Sequence, residues 1–296
     1  MEASILIVSK NRKEELFKTL RILENYIDNN KHEIRVFLDG CTDNSKLLQK
    51  DFEFIHWFSS KESIGASKAR NILYKTARGK LLFGFDDDAH PLQADFIQIS
   101  EELFRNNPTT GILALKEIKG VFEGDEHIPQ KQLISRPDLL VNDFIGCGFV
   151  VRKNVYEETE GFPAWIDIYG EEVCLALEVI NKGYNIIFTH KVQVNHRVDL
   201  EKRKLIRANY FRFGKQLKNT AYFYMVYYPF PLLLKKIARL YFLNFKKYAL
   251  KDKRYFKEFW KAFFINIFNF GKVWVERKPV KGETLATFNK LSKPQY

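Results

Sequence analysis

Leu81 to Pro91 reads LLFGFDDDAHP, an apolar run of strand length that ends abruptly in three aspartates. Side chains alternate faces along a strand, so Asp86 and Asp88 are expected to point one way at its end and Asp87 the other. Two carboxylates on one side can share a cation. Hard divalent ions such as Mg²⁺ or Mn²⁺ prefer oxygen ligands and complete their shells with substrate phosphates. Three acids in an arbitrary loop would more simply form a solvated turn. Here a buried-looking strand delivers them directly, which puts a metal on an equal footing with that simpler reading.

Upstream, Ser4 to Val8 is a short apolar strand followed by the polar loop Ser9-Lys10-Asn11-Arg12. Leu16, Leu20, Leu23 and Ile27 recur at helical spacing and predict an amphipathic helix over Glu14 to Asp28. A second strand, Ile34 to Leu38, runs into the turn-rich Asp39-Gly40, and Phe52 to Phe58 reads as a third. Helices are expected over Ala66 to Ala77 and, after the aspartates, over Leu92 to Arg105. Strands alternating with helices of this length predict an α/β fold with a parallel, doubly wound sheet.

In such sheets ligands bind outside the carboxyl ends of the strands. The clusters Ser9 to Arg12, Asp39-Gly40 and Asp86 to Asp88 each follow a strand, so all three are expected at one edge. An acidic group opposite Lys68 and Arg70 would suit a metal-bound nucleoside diphosphate, with Asp39 accepting from a base or ribose. Neither GxxxxGK[ST] nor GxGxxG occurs, which leaves a P-loop hydrolase or a dehydrogenase without a motif.

Gly111 to Arg152 is less regular, but Phe144 to Val151 predicts a strand with small residues that permit close approach. Gly170-Glu171-Glu172 opens a helix that ends near Gly183. At about 100° per residue, Val173, Ala176, Leu177 and Ile180 share its apolar face, Glu171 lies opposite and Glu172 on the flank. Glu172 is the better placed of the two to face a site, although both acids also complement the helix dipole. Strands are expected over Tyr184 to Thr189 and Val192 to Val198. The second contains His196, a lone histidine that by itself reads as structural.

The chain has 296 residues, 46% hydrophobic and 28% charged, which suits one large folded domain with an appendage and excludes a disordered chain. A net charge of +12 implies an anionic partner without choosing among phosphorylated ligands, anionic lipid and nucleic acid. Cys41, Cys147 and Cys174 show no metal-ligand spacing and suggest free thiols in a reducing compartment. No secretory signal is evident at the N-terminus.

Taken in order, Ser9 to Arg12, Asp39-Gly40, Gly65 to Asn71, Asp86-Asp87-Asp88, Gly146-Cys147-Gly148, Gly161-Phe162 and Gly170-Glu171-Glu172 with Gly183-Tyr184 resemble a family 2 glycosyltransferase of the GT-A fold. The resemblance covers about residues 4 to 200. It implies inverting sugar transfer from a nucleotide-diphosphate sugar donor to an acceptor hydroxyl, with Mg²⁺ or Mn²⁺ as cofactor. By position it assigns Asp39 to the base, Asp86 or Asp87 to the ribose side, and Arg70 to the donor pocket, with Ser9, Asn11, Arg12 and Lys68 on the donor side as well. Asp88, with Asp86, would hold the metal, and His196 matches a late histidine near metal or diphosphate. Glu172 would be the general base that deprotonates the acceptor. One departure is visible, because the family commonly has Glu-Asp where this chain has Glu171-Glu172, so Glu171 stays open as the base. Two rivals also stay open: a nucleotidyltransferase, and an inactive nucleotide-sugar-binding or scaffold subunit.

The resemblance ends near residue 200, where the composition shifts to interleaved aromatic and basic residues, which divides the chain into a GT-A domain, residues 1–200, and a basic, aromatic-rich, mostly helical C-terminal extension, residues 201–296. Ala221 to Leu234 is nearly all apolar but shorter than the ~20 residues that span a bilayer, and Pro229 and Pro231 interrupt it, so no crossing is expected. In Leu232 to Lys247, Lys235, Lys236, Arg239, Lys246 and Lys247 lie opposite Ile237, Ala238, Tyr241 and Phe245. Phe256, Phe259, Trp260, Phe263, Phe264 and Ile267 form another helical stripe. Such helices suit the surface of an anionic membrane slightly better than packing against protein, and no recognised nucleic-acid module accompanies the charge. Arg277 to Tyr296 reads as a tail or strap. The combined expectation is a cytoplasmic enzyme, peripheral on the cytoplasmic membrane face, that transfers sugar to a glycan or lipid-linked acceptor in surface polysaccharide or glycoconjugate assembly.

Overall fold

The computed structural model describes residues 1–200 and 209–296. Strands β1 (Ala3–Ser9), β2 (His32–Asp39), β3 (His56–Ser60) and β4 (Leu81–Asp86) run parallel in the spatial order β3-β2-β1-β4. The sheet continues through β8 (Gly148–Arg152), β6 (Thr110–Lys119), β9 (Asn185–His196) and β5 (Ala89–Pro91), and β7 (Leu139–Val141) pairs with β9. Strand β8 is antiparallel to both of its neighbours, whereas β6 and β9 are parallel to each other. Among the described residues this makes one nine-stranded, mainly parallel α/β sheet.

Both faces of the central strands are covered, as a parallel sheet requires. Ile5 and Ile7 face Leu16, Leu20 and Leu23 of α1 (Lys13–Glu24) within one apolar cluster. The alternate residue Leu6 belongs to the opposite cluster, with Ala69 and Leu73 from a helix over Ala66–Thr76 and Leu175 and Val179 from another over Glu171–Asn181. This period of two places the sheet between two helical layers. Counting the short helices α2 (Leu48–Asp51) and α5 (Lys153–Glu157), the Ala66–Thr76 helix is α3, Phe96–Asn106 is α4 and Glu171–Asn181 is α6.

Several boundaries differ from expectation for local reasons. The third strand begins at His56, where pairing with Arg35 starts, while Phe52 ends α2 and packs edge-on against Phe17. Helix α4 starts at Phe96 rather than Leu92 because Ala89–Pro91 is used as a strand against β9. Phe144 to Cys147 precede the strand instead of joining it, since pairing with β4 begins at Gly148. The two strands expected after Gly183 are one, β9, interrupted where its partner moves from Thr189 to Gln193. The ten-residue strand β6 occupies a stretch whose periodicity was too weak to read.

The C-terminal helices are α7 (Tyr210–Tyr227), α8 (Leu232–Asn244), α9 (Lys253–Phe268), α10 (Phe270–Val275) and α11 (Gly282–Lys290), with a π-helical turn at Phe245–Ala249. Helix α7 joins two cores. Leu217 packs in a small cluster with Phe259 and Ala262 of α9, whereas Tyr222, Phe223 and Val226 enter the same cluster as Leu175 and Val179 of α6. The last residues act as a strap: Ser292 pairs with Val141, and the Tyr296 ring meets Phe188 edge-on at 5.1 Å. The stripe expected over Phe256 to Ile267 divides, with Phe259 turned into the core and Phe256, Phe264 and Ile267 exposed. Among the described residues no helix is long and apolar enough to cross a membrane.

Candidate active site

Strand register assembles the site. In the order β2-β1-β4, Ser9 lies opposite Leu38 and Val8 opposite Asp86, so Ser9, Asp39 and Asp86 end adjacent parallel strands at one edge. On the far side, Ala89 pairs with His196 and the Arg197 N–H donates to the Asp88 carbonyl at 2.9 Å. That pairing sets the His196 ring against the aspartates.

The three aspartates separate as the strand end dictates. Asp86 reaches Arg70 at 2.8 Å and lines a cavity of about 840 Å³. Asp87 turns back into the protein, accepting from the Ser9 hydroxyl at 2.7 Å with the Arg12 Nε at 3.3 Å. Burial pushes its carboxyl up to about 7 despite Arg12 and Ser9. Asp88 accepts from the Arg12 Nη2 at 2.7 Å and lies 3.3 Å from the His196 Nε2. Burial opposes its charge, but His196 and Arg12 hold its carboxyl down at about 2.

Asp86, Asp88 and His196 present ligand atoms that all lie within 4.8 Å of one another. Two carboxylates and one imidazole fit a divalent ion of the Mn²⁺ type. His196 donates through Nδ1 to Glu117 at 2.6 Å. Burial would lower the ring's pKa, yet the bonds to Asp88 and Glu117 raise it to about 9, so its proton must leave before Nε2 can ligate a cation. Glu117 fixes the ring's orientation and tautomer. Sequence reasoning passed over Glu117, although a lone acid in the apolar run GILALKEI is a buried charge in need of a partner. Glu117→Gln is expected to weaken Mn²⁺ binding by roughly 10–100-fold with the fold intact, as measured by Mn²⁺ titration and circular dichroism.

Arg70 is the second organising group. Its guanidinium contacts Asp86, Glu171 at 3.1 Å and Glu172 at 3.1 Å, one cation shared by three carboxylates. Gly146 allows that approach, because a Cβ there would stand 2.4 Å from Arg70 Nη2 and 2.7 Å from Glu172. The two glutamates differ in access. Glu172 keeps 19% of its side chain exposed and lines the cavity, whereas Glu171 keeps 4% and its Oε2 has no partner among the described residues. Burial first, and for Glu171 also the adjacent Glu172, raises both carboxyls above the ordinary glutamate value.

The loop that delivers these glutamates is held from α7. Lys215 and Lys218 pair with Asp167, the latter at 3.0 Å, and Asn219 donates to the Ile168 and Tyr169 carbonyls at 2.8 Å each. Gly170, at φ 104°, then turns the chain into α6. Nothing in the local sequence of 167–172 marks this clamp, because its partners lie about 50 residues on.

Other expected donor residues have different settings. Asp39 is buried, and its two oxygens accept from Ser60, Ser63, Ile64 N and Gly65 N, so here it holds the loop that leads into α3. Asn11 Oδ1 accepts from Thr42 N and Asp43 N and secures the loop after β2. Arg12, 45% exposed, leans over Asp87 and Asp88. Lys68 is exposed and does not join the cluster, since two residues along a helix is about 200° and directs it away from Arg70. Beyond the predicted residues, the cavity is walled by Tyr169, Arg212, Tyr224, Tyr228, Lys236 and Lys293.

The mainly parallel sheet, with its acidic strand ends gathered at one edge and its helical C-terminal region, has the GT-A architecture. The chain is similar to S. aureus TarS 1–349 in complex with UDP-GlcNAc, at 15% identity and a TM-score of 0.59 over 88% of this chain and 81% of that one. It is similar also to the mannosyltransferase PcManGT from Pyrobaculum calidifontis in complex with GDP-Man and Mn²⁺, at 14% identity and 0.58 over 98% and 79%. GalNAc-T7 with UDP, GalNAc and Mn²⁺ matches at 16% identity and 0.54, over 67% and 44%. Against the longer S. aureus TarS chain, this chain spans 42% of the length. At these identities the likeness carries the fold alone. No curated protein matches the chain. The glycosyl transferase family 2 model matches residues 4–159, and the chain belongs to that family.

Proposed function

We propose that the protein is a metal-dependent, inverting glycosyltransferase that moves a sugar from a nucleoside-diphosphate donor to an acceptor hydroxyl. Its role would be in assembling a surface polysaccharide or other glycoconjugate. The observation that carries this reading is the Arg70 bridge, which ties Glu172 to Asp86 across one cavity. In this reading Glu172 accepts the acceptor hydroxyl's proton as that oxygen attacks the anomeric carbon from the face opposite the diphosphate. The C–O bond to the diphosphate breaks in the same displacement, so configuration inverts. A divalent cation at Asp86, Asp88 and His196 supplies positive charge for the leaving diphosphate when bound. Arg12, beside Asp88, adds a fixed cationic group to that end.

The complexes of TarS with UDP-GlcNAc, of PcManGT with GDP-Man and Mn²⁺, and of GalNAc-T7 with UDP, GalNAc and Mn²⁺ support this choice of donor. Tyrosine faces interleaved with amides, including Tyr169, Tyr224, Asn142 and Gln216, line the rest of the cavity and suit stacking and hydrogen bonding with an acceptor glycan. The test is nucleoside-diphosphate release from UDP-, GDP- and dTDP-sugars with Mn²⁺, Mg²⁺ or chelator, with and without a lipid-extract acceptor. Chelator-sensitive release from one donor is expected. Pyrophosphate as the released product would point to nucleotidyl transfer, and donor binding without turnover to a binding subunit.

A further inference from the structure

One strongly biased surface lies outside the catalytic machinery. Of the nineteen large hydrophobic side chains exposed among the described residues, eleven fall between Phe230 and Val275. The same stretch holds eleven lysines and arginines against two acids, Asp252 and Glu258, a net of nine of the chain's twelve positive charges. Both excesses meet on α9. Phe256, Trp260, Phe264 and Phe268 recur every four residues and form a ladder with centroids 6.1, 5.9 and 6.5 Å apart. Phe264 is 48% and Phe268 80% exposed, while Phe259, Ala262 and Asn266 on the other face are buried, packing towards α7. Exposed Lys253, Lys257 and Lys261 run along the ladder's edge.

We propose that this face of α9 docks on an anionic lipid bilayer, lying in the interface without crossing it. Phenylalanine rings carry no hydrogen-bonding group and suit the acyl boundary, while the lysines beside them reach the headgroup level, the pattern of an interfacial amphipathic helix. A second copy of the chain is a poorer occupant, because its matching face would bring the same positive charge against this one. The docking helix and the cavity share a neighbour: α9 packs on α7, and Tyr224 of α7 with Lys236 of α8 walls the cavity. Docking would hold the enzyme at the surface that carries lipid-borne acceptors. This last point rests on the proposed transferase activity; the docking itself does not.

The test uses the full chain, sedimented with vesicles of phosphatidylcholine alone or mixed with phosphatidylglycerol, at low and high salt. Binding is expected to the mixed vesicles only and to weaken with salt. Phe264→Ser/Phe268→Ser and, separately, Lys257→Glu/Lys261→Glu are each expected to weaken it at least about tenfold. Both pairs should leave thermal melting and nucleoside-diphosphate release measured without lipid unchanged, so a failure of docking is separable from a failure of the catalytic reading. Wild-type indifference to anionic vesicles, or undiminished binding by both double variants, overturns the proposal. So does a concentration-dependent dimer abolished by Phe264→Ser/Phe268→Ser, which would assign the face to a second copy.

Discussion

Glu172→Gln is expected to lower sugar transfer by roughly 10²–10⁴-fold, the range for losing a general base, while donor binding stays within about threefold of wild type. The amide keeps the shape of the side chain and can still meet Arg70, but it cannot take a proton. Glu172 is singled out over Glu171 by access, since it alone of the pair lines the cavity. Turnover with a saturating acceptor, set beside donor affinity by calorimetry, separates the two effects. A variant retaining more than about a tenth of wild-type turnover would remove Glu172 from the role.

The pH profile supplies an independent sign. A base must be ionised to work, and burial raises the pKa of both glutamates. The acid limb of the wild-type rate is therefore expected above the ordinary glutamate range. Activity rises as pH climbs through the pair's titration, and the apparent value belongs to the pair rather than to one residue. An acid limb near the free-glutamate value would show that the base sits elsewhere.

Asp88→Asn is expected to lower metal-dependent donor binding by about 10²-fold or more, because the amide removes one of two anionic ligands. It also leaves Arg12 with Asp87 as its one remaining carboxylate in the cluster and removes one of the two carboxylates that hold His196 protonated. Donor affinity of the variant should then be the same with Mn²⁺ and with chelator. Chelator-sensitive binding that survives the substitution would place the cation away from Asp88.

The features legible from the chain alone were those encoded locally. Apolar strands capped by polar clusters predicted β1, β2 and β4 ending at one edge, because alternation and run length are read within a few residues. The same logic separated Asp87 from Asp86 and Asp88. The helix wheel put Glu172 on the flank, where it lines the cavity, but it set Glu171 on the polar side, and that residue is instead buried against Arg70, which the local sequence does not encode.

Tertiary structure decided what covers each face and which distant groups meet. Asp39 is engaged by a loop more than 20 residues on, and Glu117 meets His196 across 79 residues through the pairing of β6 with β9. Helix α7 clamps the glutamate loop through Lys215, Lys218 and Asn219, although composition marked it only as part of an aromatic extension. In α9, periodicity identified an apolar stripe but not that Phe259 would be buried and Phe268 exposed. The physical reason is common to all of these: periodicity records that a side chain is apolar or charged, while its partner depends on strand register and helix docking between segments far apart in the chain.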